Sequence, residues 1–135
     1  MTNNTFSPEI SRVCDANLNR LKEGIRVVED ILRYGQNNKE LASKLKSLRH
    51  KSRVFDEFEL LKYRDVNNDV LKSSTKSEQS RTDLNSVLVA NLKRAEESAR
   101  VLEEIYKLQN IQTSENFKSI RYELYNIEKE IFRQK

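Results

Sequence analysis

Two glycines, one proline, one cysteine, one histidine and no tryptophan occur in the 135 residues. Each scarcity excludes something. So little glycine leaves no phosphate-cradling loop: neither G-x-x-x-x-G-K-[ST] nor G-x-G-x-x-G is present. The single Cys14 rules out a disulfide within the chain. With no histidine near it in sequence, it reads as a small core residue rather than a nucleophile. The single His50 excludes a multi-histidine metal centre and reads first as a structural hydrogen-bonder. No apolar run approaches membrane-spanning length and nothing reads as a leader, so the expected setting is the cytoplasm, without a membrane partner. Charge of one sign is lacking too. Twenty-five basic and 21 acidic residues leave a net charge of +4, a mixed surface that argues against nucleic acid as a partner.

What is abundant is Leu, Lys, Glu, Arg and Asn, a helical composition with few tight turns. One stretch occurs twice. Ala16-Asn17-Leu18-Asn19-Arg20 through Glu29-Asp30-Ile31 returns as Ala90-Asn91-Leu92-Lys93-Arg94 through Glu103-Glu104-Ile105, offset by 74 residues. Both copies read A-N-L-x-R-x-x-E-x-x-R-V-x-E-[DE]-I. Downstream, Lys46-Ser47-Leu48-Arg49-His50 returns as Lys118-Ser119-Ile120-Arg121-Tyr122, offset by 72. At about 100° per residue, Leu18, Leu21, Ile25, Val28 and Leu32 form a seam, and Leu92, Ala95, Ala99, Leu102 and Tyr106 form its counterpart. Asn17 and Asn91 edge these seams beside the small Gly24 and Ser98, and Arg20 and Arg94 flank them. Two readings stay open. In one, Asn and Arg bond backbone or carboxylates across a bundle. In the other, Gly24 and Ser98 open a polar pocket between the two copies. The outward charges Glu23, Arg26, Glu29 and Asp30 also recur, as Glu97, Arg100, Glu103 and Glu104, which implies that this face is covered as well.

In chain order, residues 1–6 read as polar and loose. Ser7-Pro8-Glu9 starts a helix expected to run from Pro8 to Tyr34 and stop at a left-handed Gly35. A second helix follows Asn37-Asn38, with Leu41, Leu45, Leu48, Ser52 and Phe55 on one face. From Lys62 to Thr82 the apolar pattern fails, and a polar loop is expected. Asp83 opens the third helix, which ends near Leu108. Thr113 or Ser114 caps the fourth, striped by Phe117, Ile120, Leu124, Ile127 and Ile131. The expectation is one all-α domain over 1–135. It is a four-helix bundle of two hairpins, about 7–61 and 83–134, with internal pseudo-twofold symmetry.

Val13-Cys14-Asp15-Ala16-Asn17-Leu18-Asn19-Arg20 and Glu23-Gly24-Ile25-Arg26-Val27-Val28-Glu29-Asp30 resemble the signature of a bacterial thiamine-biosynthesis domain. That domain occurs alone or fused ahead of thiamine phosphate synthase, and is a monofunctional hydroxymethylpyrimidine phosphate kinase. The resemblance continues through Leu48-Arg49-His50, Arg64-Asp65, Asp69-Val70, Glu78 with Arg81, the second copy, Lys107 and Arg121-Tyr122. Leu71 departs from it, standing where a glycine is expected after Asp-Val. The chain carries no synthase part, so it resembles the free-standing form.

The resemblance implies ATP and Mg²⁺ as cofactors and a pyrimidine phosphate as acceptor. Transfer to an acceptor that is already anionic needs charge neutralisation more than a base, which suits a site rich in Arg and acid. Arg20, Arg94, Arg64 and Arg81 are assigned to phosphates, with Arg26 and Arg100 as weaker candidates because they point away from the Asn face. Asp65 and Asp69, joined by Glu29, are assigned to Mg²⁺. Asn17 and Asn91 are assigned to the pyrimidine edge or a phosphate, and Arg49 and Arg121 to substrate or nucleotide binding. The loop aspartates also read as a plain solvated linker. Held beside the kinase are a module docking on thiamine phosphate synthase and a chorismate-mutase-like helical enzyme. The site lies either within one chain or between the copies of a homodimer.

Overall fold

The computed structural model describes residues 6–133. Residues 1–5 of the polar N-terminal stretch, residue 134 at the expected end of the second hairpin, and residue 135 lie outside the described residues. Phe6, expected to be loose, is half-buried with its ring edge-on to Tyr106 at 5.2 Å.

Helix α1 spans Pro8–Asp30 and starts as its sequence dictates: the Ser7 hydroxyl accepts the Ile10 N–H at 3.2 Å, with Pro8 just inside. Its end differs from expectation. A π-helical turn, Ile31–Gly35, continues the helix, and the left-handed residue is Asn37 (φ 51°) rather than Gly35. The widened turn carries the reversal two residues past the glycine, and asparagine tolerates that conformation better than most residues. Asn38 then caps α2 (Lys39–Lys51), its side chain accepting the Leu41 N–H.

Leu41, Leu45 and Leu48 face inward, and the buried Ser52 hydroxyl donates back to the Leu48 carbonyl at 2.8 Å. Phe55 does not continue this stripe. The helix has ended, its periodicity is lost, and the ring is 77 % exposed. Two short helices, α3 (Glu57–Leu61) and α4 (Lys76–Gln79), precede α5 (Leu84–Tyr106). Asp83 and Ser86 cap α5 reciprocally. For α6 (Ile111–Arg133) the cap is Asn110, whose Oδ1 accepts the Thr113 N–H at 3.1 Å, not Thr113 or Ser114. Ser114 is one turn inside and donates to the Glu103 carbonyl. Among the described residues there is no strand, and the fold is all-α.

The two predicted seams form the core. Every residue of both is buried, together with the α2 leucines and the five apolar residues of the α6 stripe. At about 1.5–3 kcal/mol per fully buried aliphatic or aromatic side chain, this packing is the main term favouring the fold. Helix α1 packs on α5 and α2, and α5 on α6. Gly24 sits where α1 and α5 come closest: a Cβ there would stand 2.9 Å from the Asn91 carbonyl oxygen and 3.2 Å from the Ala95 Cβ. Of the two readings left open, the pocket beside Gly24 does not form, because the partner helix fills the space a side chain would take.

Contacts recur at repeat-related positions. The Asn17 amide donates to the Val13 carbonyl, and the Asn91 amide to that of Val87, both at 2.9 Å. Glu29 holds Arg49 of α2, and Glu103 holds Arg121 of α6.

Candidate functional site

The first half of α1 presents a second, outer stripe of Arg12, Asp15, Ala16, Asn19 and Arg20. Chain 63–69 crosses this stripe and leaves a cleft of about 670 Å³ between helix and loop. Two long-range contacts fasten the crossing. Arg64 donates from Nε and Nη2 to the two carboxylate oxygens of Asp15, at 2.7 and 2.9 Å. Arg12 Nη2 donates to the Asp65 carbonyl at 2.8 Å. Asp15 is buried, and a buried carboxylate is tolerated only when paired. The Asp15 hydrogen bond, in turn, holds the Arg64 guanidinium more firmly charged. A fork-to-fork pair of this kind uses two of the five guanidinium N–H groups, so the others remain available to a ligand.

The loop is shaped by its own carboxylates. Asp65 accepts from the Asn68 backbone N–H at 3.2 Å and from the Asn68 amide at 2.7 Å, and these bonds hold its carboxyl below the usual range. Asp69 accepts the Leu71 N–H at 2.9 Å. Apolar side chains share the cleft wall: Val13 and Ala16 on the helix, Tyr63 and Val66 on the loop. One chamber thus combines guanidinium, carboxylate and apolar surface.

Of the residues singled out from sequence, the cleft gathers Asn17, Arg20, Arg64, Asp65 and Asp69. It does not gather the rest. Glu29 lies 14 residues along α1 from Asp15, about 21 Å of helix rise, and is closed in an ion pair with Arg49. Glu29 therefore stands apart from Asp65 and Asp69, and the three expected carboxylates do not come together. Among the described residues no three His, Cys, Asp or Glu side chains cluster as metal ligands. Two oxygen donors on adjacent turns still fit Mg²⁺, which takes one or two carboxylates and fills its octahedron with water and phosphate.

Arg26 pairs with Asp30 at 3.2 Å, and Arg100 with Glu103 and Glu104 at 3.2 and 3.4 Å. Arg121 is held by Glu103 and donates to the Tyr125 oxygen. Arg94 and Arg81 are exposed and lie on the side of Glu78, whose carboxyl is lowered chiefly by hydrogen bonds from Thr75 and further by these two cations. Asn91 belongs to the α1–α5 contact rather than to a cleft. The amide N–H of both asparagines is committed to its own helix. The expectation of a covered outer face holds at Glu29 and Glu103, 1 % and 4 % exposed, and fails at Arg26, Arg100, Glu97 and Glu104, which are exposed.

Sequence reasoning missed Arg12 and Asp15. A signal for Asp15 exists in the repeat: the second copy has Val89 at that place, Ser86 at that of Arg12, and Lys93 at that of Asn19. The duplicated Asn17 and Arg20 also line the cleft, but Arg12, Asp15 and Asn19 stand where the copies diverge and set the first copy apart from the second.

Residues 12–130 match the profile of the ThiD2 family. The chain belongs to the ThiD2 family. Within curated proteins it is 42 % identical over 120 residues to a thiamine-phosphate synthase of Synechocystis sp., covering 88 % of this chain and 35 % of that one. A thiamine-phosphate synthase of Nostoc punctiforme is 39 % identical over 120 residues, covering 88 % and 34 %. One of Rhodopirellula baltica is 38 % identical over 127 residues, covering 90 % and 34 %. The chain spans about a third of the length of these relatives. No solved structure matches it. The ThiD2 match takes in all of α1 from Arg12 and the whole 63–69 loop, so every element of the cleft except Pro8 and Glu9 lies inside it. Among the described residues of this ThiD2 chain, no helix is long and apolar enough to cross a membrane.

Proposed function

We propose that this chain acts in thiamine biosynthesis as an ATP-dependent kinase of 4-amino-5-hydroxymethyl-2-methylpyrimidine phosphate, with the α1–loop cleft as its acceptor site. Membership in the ThiD2 family and the similarity to thiamine-phosphate synthases support the pathway. The observation that carries the activity is the cleft itself, which sets Arg12, Arg20 and Arg64 against Asp65 and Asp69 beside Val13, Tyr63 and Val66. A flat ring bearing a phosphate needs those two kinds of surface.

In the reaction, a phosphate oxygen of the acceptor forms a bond to the γ-phosphorus of ATP. The bond from that phosphorus to the β,γ-bridging oxygen breaks, and ADP leaves with the electron pair. The acceptor oxygen is anionic near neutral pH, so no proton has to be removed. The residues' task is to position two polyanions and to spread the charge of the transferring group. Arg64, preset by Asp15, and the exposed Arg20 are the donors for that group. Asp65 and Asp69 would hold Mg²⁺, which when bound neutralises phosphate charge. The lining carries three guanidinia and four carboxylates, Glu9 and Asp15 included. It therefore suits a phosphate accompanied by a cation better than a bare polyanion.

The test is ATP-to-ADP turnover with Mg²⁺, with the pyrimidine monophosphate offered in one reaction and the free pyrimidine alcohol in another. Turnover with the monophosphate alone is expected. A folded protein inactive with both would overturn the reading. One observation favours a second role. Phe55 and Phe58 on the α3 side are 77 % and 85 % exposed, apolar surface fit for contact with a thiamine phosphate synthase. Pull-down of that enzyme, lost in a Phe55→Ser/Phe58→Ser variant, would support it.

A further inference from the structure

Beyond Arg20 the outer stripe of α1 runs into a second groove, of about 480 Å³, walled by the end of α2 and the start of α3. Its chemistry is the reverse of the cleft's. Every side chain lining it is ionisable and none is apolar. Lys22, Arg26, Arg49 and Arg53 face Glu23 and Glu57, a net charge of +2 before His50 is counted, whereas the cleft's lining sums to −1.

Three of the four cations are held in place from outside or at the edge of the groove. Lys22 pairs with Glu57 at 2.7 Å, Arg26 with Asp30 at 3.2 Å through Nε, and Arg49 with Glu29 at 2.8 Å. Pinned guanidinia retain further N–H donors and lose little freedom on binding. Arg53 is exposed and has no ion pair among the described residues. A surface cation without a carboxylate, beside three that are fixed, is an arrangement for an anionic chain.

We propose that this groove is a second ligand site that takes a polyphosphate chain, with Arg53 as its free cation. The proposal rests on the kinase reading for its biological meaning, and assigns the triphosphate to the groove and the ring phosphate to the cleft. The two sites are continuous. Glu23 of the groove stands three residues from Arg20 of the cleft, about 4.5 Å along the helix, and interacts electrostatically with Arg64. Two ligands laid end to end along α1 would bring their phosphates together at Arg20 and Arg64. An aromatic base finds no apolar wall in the groove, so the phosphates supply the recognition.

The experiment is calorimetric titration with inorganic tripolyphosphate, which requires no turnover, on the wild type, Arg53→Gln and Arg12→Gln, each checked for helicity. Wild-type binding that weakens about tenfold in Arg53→Gln and is unaltered in Arg12→Gln, a cleft residue away from that junction, is expected, a tenfold change corresponding to about 1.4 kcal/mol. ATP and tripolyphosphate are titrated in separate arms. Competition between them identifies the nucleoside triphosphate as occupant, and binding of tripolyphosphate without ATP identifies an inorganic chain. In turnover, Arg53→Gln should raise KM for ATP about tenfold while leaving KM for the pyrimidine phosphate unchanged. Equal tripolyphosphate affinity in wild type and Arg53→Gln overturns the groove. Arg53-dependent binding in a protein that shows no turnover overturns the kinase reading and leaves the groove standing.

Discussion

Glu29 accepts two hydrogen bonds from Arg49, 2.8 Å from Nε and 3.2 Å from Nη2, at a position that is almost wholly buried. The repeat partner Glu103 grips Arg121 through its Oε1, at 2.7 and 3.2 Å. Each pair clamps the long helix of a hairpin to its shorter or second helix at the same place. Removing one member of a buried pair strands the other's charge, which is costlier than removing both. Arg49→Met should therefore lower stability by about 3–5 kcal/mol, and Glu29→Met/Arg49→Met by clearly less. Urea unfolding of the singles and the double checks this; equal losses in all three would show that the charge is not the cause.

The approach of α1 to α5 makes a second prediction. A methyl at Gly24 would meet the backbone oxygen of Asn91 at 2.9 Å, and backbone cannot swing aside as a side chain can. Gly24→Ala gains helix propensity of up to about 1 kcal/mol. Overpacking costs about 1–3 kcal/mol, so the net effect should be a loss. Thermal melting decides it, and a Tm at or above that of the wild type would show that the helices separate freely.

These two features mark what the sequence could and could not convey. Periodicity placed Leu18 to Leu32 and Leu92 to Tyr106 in the core, and Ser7 and Asp83 at helix starts, because those signals are local. Gly24 was legible as small but not as small for which reason: room for a ligand and room for a helix look alike in one dimension. Arg64 with Asp15, 49 residues apart, carries no local signal, and neither does the assignment of Glu29 to Arg49 rather than to a metal. The π-turn at Ile31–Gly35 defeated the glycine rule because one extra residue per turn leaves no mark in composition.

Glu96 gives a pH dependence. It is 3 % exposed, its Oε2 has no hydrogen-bond partner, and burial reinforced by the neighbouring Glu128 carboxylate pushes its carboxyl up to about 8. Glu128 is moved down, against its own burial, by its hydrogen bonds with Glu96 and Lys93. Between the ordinary glutamate value near 4.5 and about 8, the folded protein holds a proton that the unfolded chain has lost. Stability from this group is thus complete below about 4.5 and declines as pH rises to about 8, by at most about 1.4 kcal/mol per unit. Glu96→Met should flatten that decline and raise stability at pH 8, while Lys93 keeps Glu128 at 3.1 Å. Urea midpoints at pH 5 and pH 8 report it, and an unchanged difference between the two would refute the assignment.

Asp15 makes the prediction that bears most directly on the cleft. Its pairing with Arg64 spans a buried carboxylate and a guanidinium that is 43 % exposed, so much of the pair's electrostatic worth is screened and its stability contribution is modest. Its geometric effect is larger, since it is the bidentate contact tying the 63–69 crossing to α1. Asp15→Asn keeps one acceptor and the volume but loses the charge and the second oxygen. The expected result is a loss of about 1 kcal/mol in stability, faster amide exchange over residues 62–70, and a fall in kcat/KM of about 10–100-fold, because Arg64 is no longer preset for phosphate. Arg64→Lys separates position from charge: the cation stays and the planar fork is lost. If Asp15 acts by positioning Arg64, the double variant Asp15→Asn/Arg64→Lys should be scarcely worse than Arg64→Lys alone. Fully additive losses in kcat/KM would mean that Asp15 touches the ligand on its own account and that the pair is not the working unit.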